Sequence, residues 1–141
     1  MFALVPALGA LLVLATYTLG SRFSSRSGVA AAVLVAACPV FLYQVVQPMS
    51  DVPAAAFWVV AVASATGTGR RDGARAGLAT SLAVLMRPNL VPLGFAIGLF
   101  LLLRPERSWA ERWRSGLVYA AWSVPGCLAV AGLLQYFYGS P

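Results

Sequence analysis

The sequence predicts an all-α fold, a polytopic bundle of transmembrane helices with about six membrane segments. Three observations lead to this prediction. Hydrophobic residues make up 60% of the 141 residues and charged residues 10%, whereas a soluble domain carries roughly 25% charged residues. The apolar residues form long runs, several of them near the ~20 residues that a helix needs to cross a bilayer. Nine of the ten Arg lie between these runs. We therefore expect one transmembrane domain over residues 1–141, with the lipid bilayer as its partner.

The first two apolar runs are long enough to cross a bilayer. Phe2–Leu19 has 18 residues and Gly28–Val46 has 19. The first run has no charged segment before it and no A-x-A cleavage site, so it is not predicted to be a cleaved signal peptide.

The next three runs are shorter. Pro53–Thr66 has 14 residues, and the runs Ala76–Met86 and Pro88–Leu103 are divided at Arg87-Pro88. Because Pro88 lacks an amide donor and disfavours helix at Arg87, a break is predicted there. The two runs are predicted to cross the membrane and return as a hairpin. One continuous span over residues 76–103 is the alternative.

The last run, Gly116–Phe137, has 22 residues and is predicted to be an ordinary span. Trp109 and Trp113 precede it, four residues apart and beside Arg107 and Arg114. Aromatic and basic side chains at this spacing are typical of a short helix that lies on the membrane surface.

The distribution of Arg predicts which loops face the cytoplasm. The loops Ser21–Ser27, Gly69–Arg75 and Arg104–Ser115 carry nine Arg, whereas Gln47–Asp51 and Gly139–Pro141 carry none. Because basic loops remain in the cytoplasm, the first three are predicted inside and the other two outside. A multi-pass protein of the inner (plasma) membrane is expected.

The composition excludes several chemistries. The chain has no His and no Lys, which excludes imidazole catalysis, imidazole metal sites, Ser-His-Asp triads and Schiff-base chemistry. Cys38 and Cys127 lie within apolar runs and are interpreted as small buried side chains. The net charge of +6 is explained by topology, so no nucleic-acid partner is predicted. No catalytic residue, metal site or cofactor is indicated by the residues.

Asp51 and Arg87 are the two charged residues outside the cytoplasmic loops, and the topology places both at the outer level. Ionisable groups at membrane depth are usually functional. Asp51 is interpreted either as the N-cap of the helix that follows or as part of an outward-facing site. Arg87 either extends to the head groups or binds a phosphate. Gln44, Gln47 and Asn89 either add hydrogen bonds to such a site or are ordinary polar residues of the outer interface. The predicted substrate-binding set is Asp51, Arg87, Gln47 and Asn89.

Several segments resemble the GT-C membrane glycosyltransferases, which include protein-mannosyltransferase and aminoarabinose-transferase relatives that use polyprenyl-phosphate sugars. The resemblance covers nearly the whole chain in the right order. It lies in Ala37–Tyr43, in Pro48–Pro53, in Ala76–Ala79 with Leu85–Pro88, and in Leu134–Pro141.

The resemblance implies transfer of a sugar from a polyprenyl-phosphate donor to an acceptor on the outer face of the membrane. Asp51 would line the cavity and Arg87 would hold the donor phosphate. The family's catalytic acidic residues lie in a large outer loop that has no counterpart here, and its metal-linked His is absent. The chain is therefore expected to be an internal part of such an enzyme, inactive alone. The alternative is a small non-enzymatic multi-pass protein, either an assembly factor or a transporter subunit.

Overall fold

The computed structural model describes residues 3–47, 49–69, 71–105 and 108–139, and every regular element in these ranges is helical. The all-α prediction is confirmed. Phe2, Pro48, Arg70, Arg107 and the Ser140-Pro141 end of the predicted tail lie outside the described residues. The helices are α1 (Leu4–Gly20), α2 (Ser25–Ala36), α3 (Pro39–Val46), α4 (Asp51–Ala65), α5 (Asp72–Met86), α6 (Val91–Leu103) and α7 (Trp109–Tyr138).

Among the described residues, α7 is the one unbroken helix long and apolar enough to cross a membrane, with 30 residues. Helices α2 and α3 reach that length together, but the chain bends by 59° between them. Helices α1, α4 and the segment Pro88–Leu103 are apolar and shorter. By length and composition there is thus one candidate span, or two with the bent pair, and the six-segment bundle is not confirmed.

The two ends of the helix bundle are identified by contacts between distant residues. At one end, Asp51 at the start of α4 forms an ion pair with Arg87, which directly follows α5. At the other end, Arg104 after α6 donates hydrogen bonds to carbonyl oxygens at the end of α4. We call these the Asp51 end and the Arg104 end. Arg22 lies at the Arg104 end, where its Nη1 donates to Thr66 Oγ1 over 2.7 Å.

The predicted break at Arg87-Pro88 is present. Helix α5 ends at Met86, and Arg87 is extended, with φ −145° and ψ 95°, because a residue before proline disfavours the helical conformation. Pro88–Leu90 forms a 3-10 turn, and α6 then leads to the Arg104 end. A continuous helix over residues 76–103 is therefore not formed.

Small residues bring α5 and α7 into close contact. A Cβ added at Gly77 would lie 2.5 Å from the Tyr119 carbonyl oxygen, and one added at Gly73 would lie 3.0 Å from that of Ser115. One added at Gly126 would collide with Ser81. Small residues of this kind allow helix backbones to approach closely when the hydrophobic effect does not drive their association.

The core is built mainly from alanine, with a few larger side chains. Tyr119 on α7 is buried; its hydroxyl donates to the Gly94 carbonyl oxygen over 2.8 Å and forms a second hydrogen bond, of 3.2 Å, with the Thr80 hydroxyl. One side chain thus connects α5, α6 and α7. The buried cluster comprises Trp58, Ala61, Ala65, Ala76, Ala79, Ala83, Val84, Ile97, Leu101 and Tyr119.

The separate surface helix predicted around Trp109 and Trp113 is wrong. Both residues belong to the first turns of α7, with their rings edge to face at a centroid distance of 5.8 Å. The physical reason is a capping box: Ser108 Oγ accepts from the Glu111 amide, and Glu111 Oε2 accepts from the Ser108 amide. This arrangement starts a helix at Trp109, and the helix continues to Tyr138 with Pro125 inside it.

Candidate functional site

The site at the Asp51 end is built around the first residue of α4. Ser50 occupies the N-cap position without a side-chain capping bond, and Asp51 lies in the first turn. The N-cap interpretation of Asp51 is therefore wrong. A carboxylate in the first turn is still favoured by the partial positive charge of the helix N-terminus. Its Oδ1 forms an ion pair with Arg87 Nη2.

Arg87 reaches Asp51 because the chain turns at Pro88. The extended backbone at Arg87 ends α5 beside the start of α4. The Arg87 side chain keeps 43% of its surface exposed and the Asp51 side chain 27%, so solvent screens the pair and its contribution to stability is modest. A guanidinium carries five N–H donors. Asp51 engages one nitrogen, and within the described residues the other two form no hydrogen bond.

Gln44 completes the arrangement from a third helix. Its Nε2 donates to Asp51 Oδ2 over 3.3 Å from the last turn of α3. The carboxylate is thus held from two sides, by Gln44 and by Arg87. We call these three residues the Asp51–Arg87 cluster. The sequence marks Gln44 as a polar neighbour, but the predicted binding set does not include it.

The other two predicted binding residues do not join the cluster. Gln47 is the C-cap of α3 and is partly buried, and its backbone amide donates to the Gln44 carbonyl oxygen over 3.3 Å. Asn89 is exposed in the 3-10 turn. Within the described ranges, neither side chain forms a hydrogen bond. Their role in substrate binding remains a prediction.

The chemistry available to the Asp51–Arg87 cluster is anion binding. Arg87 presents a planar cation, which suits bidentate recognition of phosphate. In the part of the chain that the structure describes, no three His, Cys, Asp or Glu side chains are placed to hold a metal ion.

An apolar groove of about 410 Å³ lies between α4 and α6. Along α4 the groove extends from Trp58, two helical turns after Asp51, to Thr66 at the Arg104 end. Trp58 is 8% exposed, and its Nε1 has no hydrogen-bond partner among the described residues. The groove is lined by Leu19, Trp58, Val59, Val62, Ala65, Thr66, Leu93, Ala96, Ile97 and Phe100.

In a comparison with protein families, residues 2–133 match the family described as dolichyl-phosphate-mannose-protein mannosyltransferase. The matched range contains all of the Asp51–Arg87 cluster and both walls of the apolar groove. Comparisons with curated proteins and with solved structures give no significant match.

Proposed function

Since the chain belongs to the dolichyl-phosphate-mannose-protein mannosyltransferase family, we propose that it is part of a membrane glycosyltransferase. The enzyme would transfer a sugar from a polyprenyl-phosphate donor to an acceptor on the outer face of the membrane. The resemblance to GT-C enzymes and the family match agree. A non-enzymatic assembly factor or transporter subunit is the less favoured alternative, because the match covers nearly the whole chain.

The proposal includes a multi-pass placement in the inner membrane, with the Arg104 end in the cytoplasm. The positive-inside rule supports this orientation, because Arg22, Arg75 and Arg104 contact neighbours at that end. The helices are short for a span: the 17 residues of α1 extend about 25 Å, against a hydrocarbon thickness of ~30 Å. Arginines at the ends and local thinning of the bilayer accommodate such a mismatch.

The Asp51–Arg87 ion pair is the observation that carries the proposal. An arginine that only extended to the head groups would not need a carboxylate from another helix. Asp51 instead holds one nitrogen of the guanidinium, and Gln44 holds Asp51. The guanidinium is therefore oriented before a ligand arrives, which lowers the entropy cost of binding. In this proposal Arg87 binds the donor phosphate, and Asp51 and Gln44 hold Arg87 in position.

The apolar groove supports a lipid-linked donor. Its volume falls within the ~300–1,000 Å³ typical of ligand sites, and its lining residues are almost all hydrophobic. On α4 it begins at Trp58, two helical turns from the Asp51–Arg87 cluster toward the Arg104 end. A donor with its phosphate on Arg87 would place the first isoprene units of its tail along α4 and α6.

The test is donor binding by the full-length protein. Wild type, Arg87→Lys and Arg87→Gln are titrated with a polyprenyl-phosphate sugar, with expression and monodispersity checked for each. Because an ammonium lacks the planar fork that matches phosphate oxygens, affinity should fall from Arg to Lys to Gln. Loss of the charge-assisted contact should weaken binding roughly ten- to a hundredfold. Equal binding by all three proteins would reject a phosphate role for Arg87.

A further inference from the structure

A second crevice, of about 310 Å³, lies between α1, α4 and α5 at the Arg104 end. It is separate from the apolar groove and from the Asp51–Arg87 cluster. Its lining includes three charged side chains, Arg22, Asp72 and Arg75, which we call the mouth; the remaining, mainly apolar lining we call the floor. The lining residues are Leu11, Leu14, Ala15, Thr18, Arg22, Val60, Ala63, Ser64, Asp72 and Arg75.

The charge at the mouth suits an anion with one negative charge. Asp72 is already engaged: its Oδ2 accepts from the Gly69 amide over 2.6 Å, and its Oδ1 lies 3.9 Å from Arg75 Nη1. The Arg75 side chain is 67% exposed, so this ion pair is weak. Arg22 uses Nη1 for Thr66. Two guanidinium groups against one carboxylate leave a net charge of +1, which matches a phosphodiester.

The apolar floor fits a single hydrocarbon chain. Leu11 and Leu14 lie on α1 up to eleven residues before Arg22, which corresponds to about 16 Å along a helix. One leaflet of a bilayer is about 15 Å of hydrocarbon. The volume is at the low end for a ligand site, so the crevice takes a head-group phosphate and part of one chain.

We infer that this crevice binds an anionic phosphodiester lipid of the cytoplasmic leaflet, with its phosphate between Arg22 and Arg75 and one acyl chain along Leu11 and Leu14. The inference rests on the membrane placement proposed above. It does not depend on donor binding at Arg87. A bound lipid would join α1 to the start of α5 at the Arg104 end.

The experiment measures retention of phosphatidylglycerol by the full-length protein, using native mass spectrometry after purification from mixed phosphatidylglycerol and phosphatidylcholine. The site variant is Arg22→Gln with Arg75→Gln. The matched control is Arg26→Gln with Arg114→Gln, which removes the same charge from two exposed residues outside the crevice. Phosphatidylglycerol retention should fall roughly tenfold in the site variant and remain near wild type in the control. An equal loss in both would show general attraction to basic loops and overturn the inference.

Further measurements distinguish binding of the whole lipid from binding of its head group, and loss of the site from misfolding. Leu14→Ser removes apolar floor without changing charge, and it should also lower retention. If inorganic phosphate displaces phosphatidylglycerol, the crevice is an anion site and the lipid assignment fails. Arg22→Lys with Arg75→Lys keeps the charge and should retain most binding. Loss of all retention in this variant, if it is folded, would contradict a charge-based site.

Arg87→Gln should leave phosphatidylglycerol retention unchanged, whereas the site variant should leave donor binding unchanged. This inference and the proposed function can therefore fail separately.

Discussion

Arg104 donates from Nη1 to the carbonyl oxygen of Gly67 over 2.6 Å, although 37 residues separate them. Its Nη2 also donates to the Thr66 carbonyl oxygen over 3.1 Å. The last carbonyls of a helix have no partner within the helix, and a positive charge there complements the helix dipole. Arg104 therefore caps α4 from the end of α6 and joins both walls of the apolar groove.

Replacing Arg104 with Gln should lower the free energy of unfolding by about 1–3 kcal/mol, because several carbonyls lose a charged donor at once. Thermal unfolding of the full-length protein in detergent measures the effect. Arg114→Gln removes an exposed charge at the same end of the bundle and serves as the control. If the two variants unfold at the same temperature, Arg104 does not stabilise the end of α4.

Asp51→Asn should weaken donor binding, but less than Arg87→Gln does. The reason is that Asp51 orients the guanidinium, whereas Arg87 is proposed to contact the phosphate. Binding of the same polyprenyl-phosphate sugar to Asp51→Asn, Arg87→Gln and the double variant measures this. In the double variant the loss should equal that of Arg87→Gln alone, since Asp51 acts through Arg87. Tighter binding by Asp51→Asn would mean that the carboxylate competes with the phosphate.

Gly77→Ala should destabilise the protein, although alanine is the better helix former. Its Cβ would lie 2.5 Å from the Tyr119 carbonyl oxygen and 2.8 Å from Trp122 Cβ, and overpacking of this kind costs about 1–3 kcal/mol. Gly132→Ala is the matched control, since nothing lies within 4 Å of an added Cβ there. That substitution should be neutral or stabilising by up to ~1 kcal/mol. Thermal unfolding of both variants measures the difference, and equal stability would show that α5 and α7 can move apart.

Single cysteines should report the proposed orientation in intact cells. In a background with Cys38→Ala and Cys127→Ala, Met49→Cys near the Asp51 end should react with an impermeant thiol reagent. Ser24→Cys and Ser108→Cys should be protected, because they lie in loops with basic residues. Labelling of Ser108→Cys from outside would contradict a cytoplasmic Arg104 end.

Features set by neighbouring residues were predictable from the sequence. The break at Arg87 follows from Pro88 alone, and the alternation of apolar runs placed Asp51 and Arg87 at one level. Their direct ion pair was not predicted, because it depends on how α4 and α5 pack.

The features that the sequence does not predict depend on the rotation of a helix about its axis and on contacts between residues far apart in the chain. Gln44, rather than Gln47, binds Asp51 because it lies in the last turn of α3 and Gln47 lies beyond it. The sequence predicts Arg104 only as a loop charge, since its partners lie near the end of α4. At Trp109 the sequence does carry a local signal for the start of α7, because Ser108 and Glu111 have the spacing of a capping box.

The hydroxyl of Tyr119 has a consequence for biosynthesis. Thr80 and Gly94 precede Tyr119 in the chain, so both leave the ribosome before α7 does. Until α7 is made, the Gly94 carbonyl oxygen and Thr80 Oγ1 lack the Tyr119 hydroxyl that joins them in the folded structure. The order of synthesis therefore makes this connection between α5 and α6 depend on the later synthesis of α7. If translation stalled before Tyr119, α5 and α6 would already be synthesised, but the Tyr119 hydroxyl would not yet connect them.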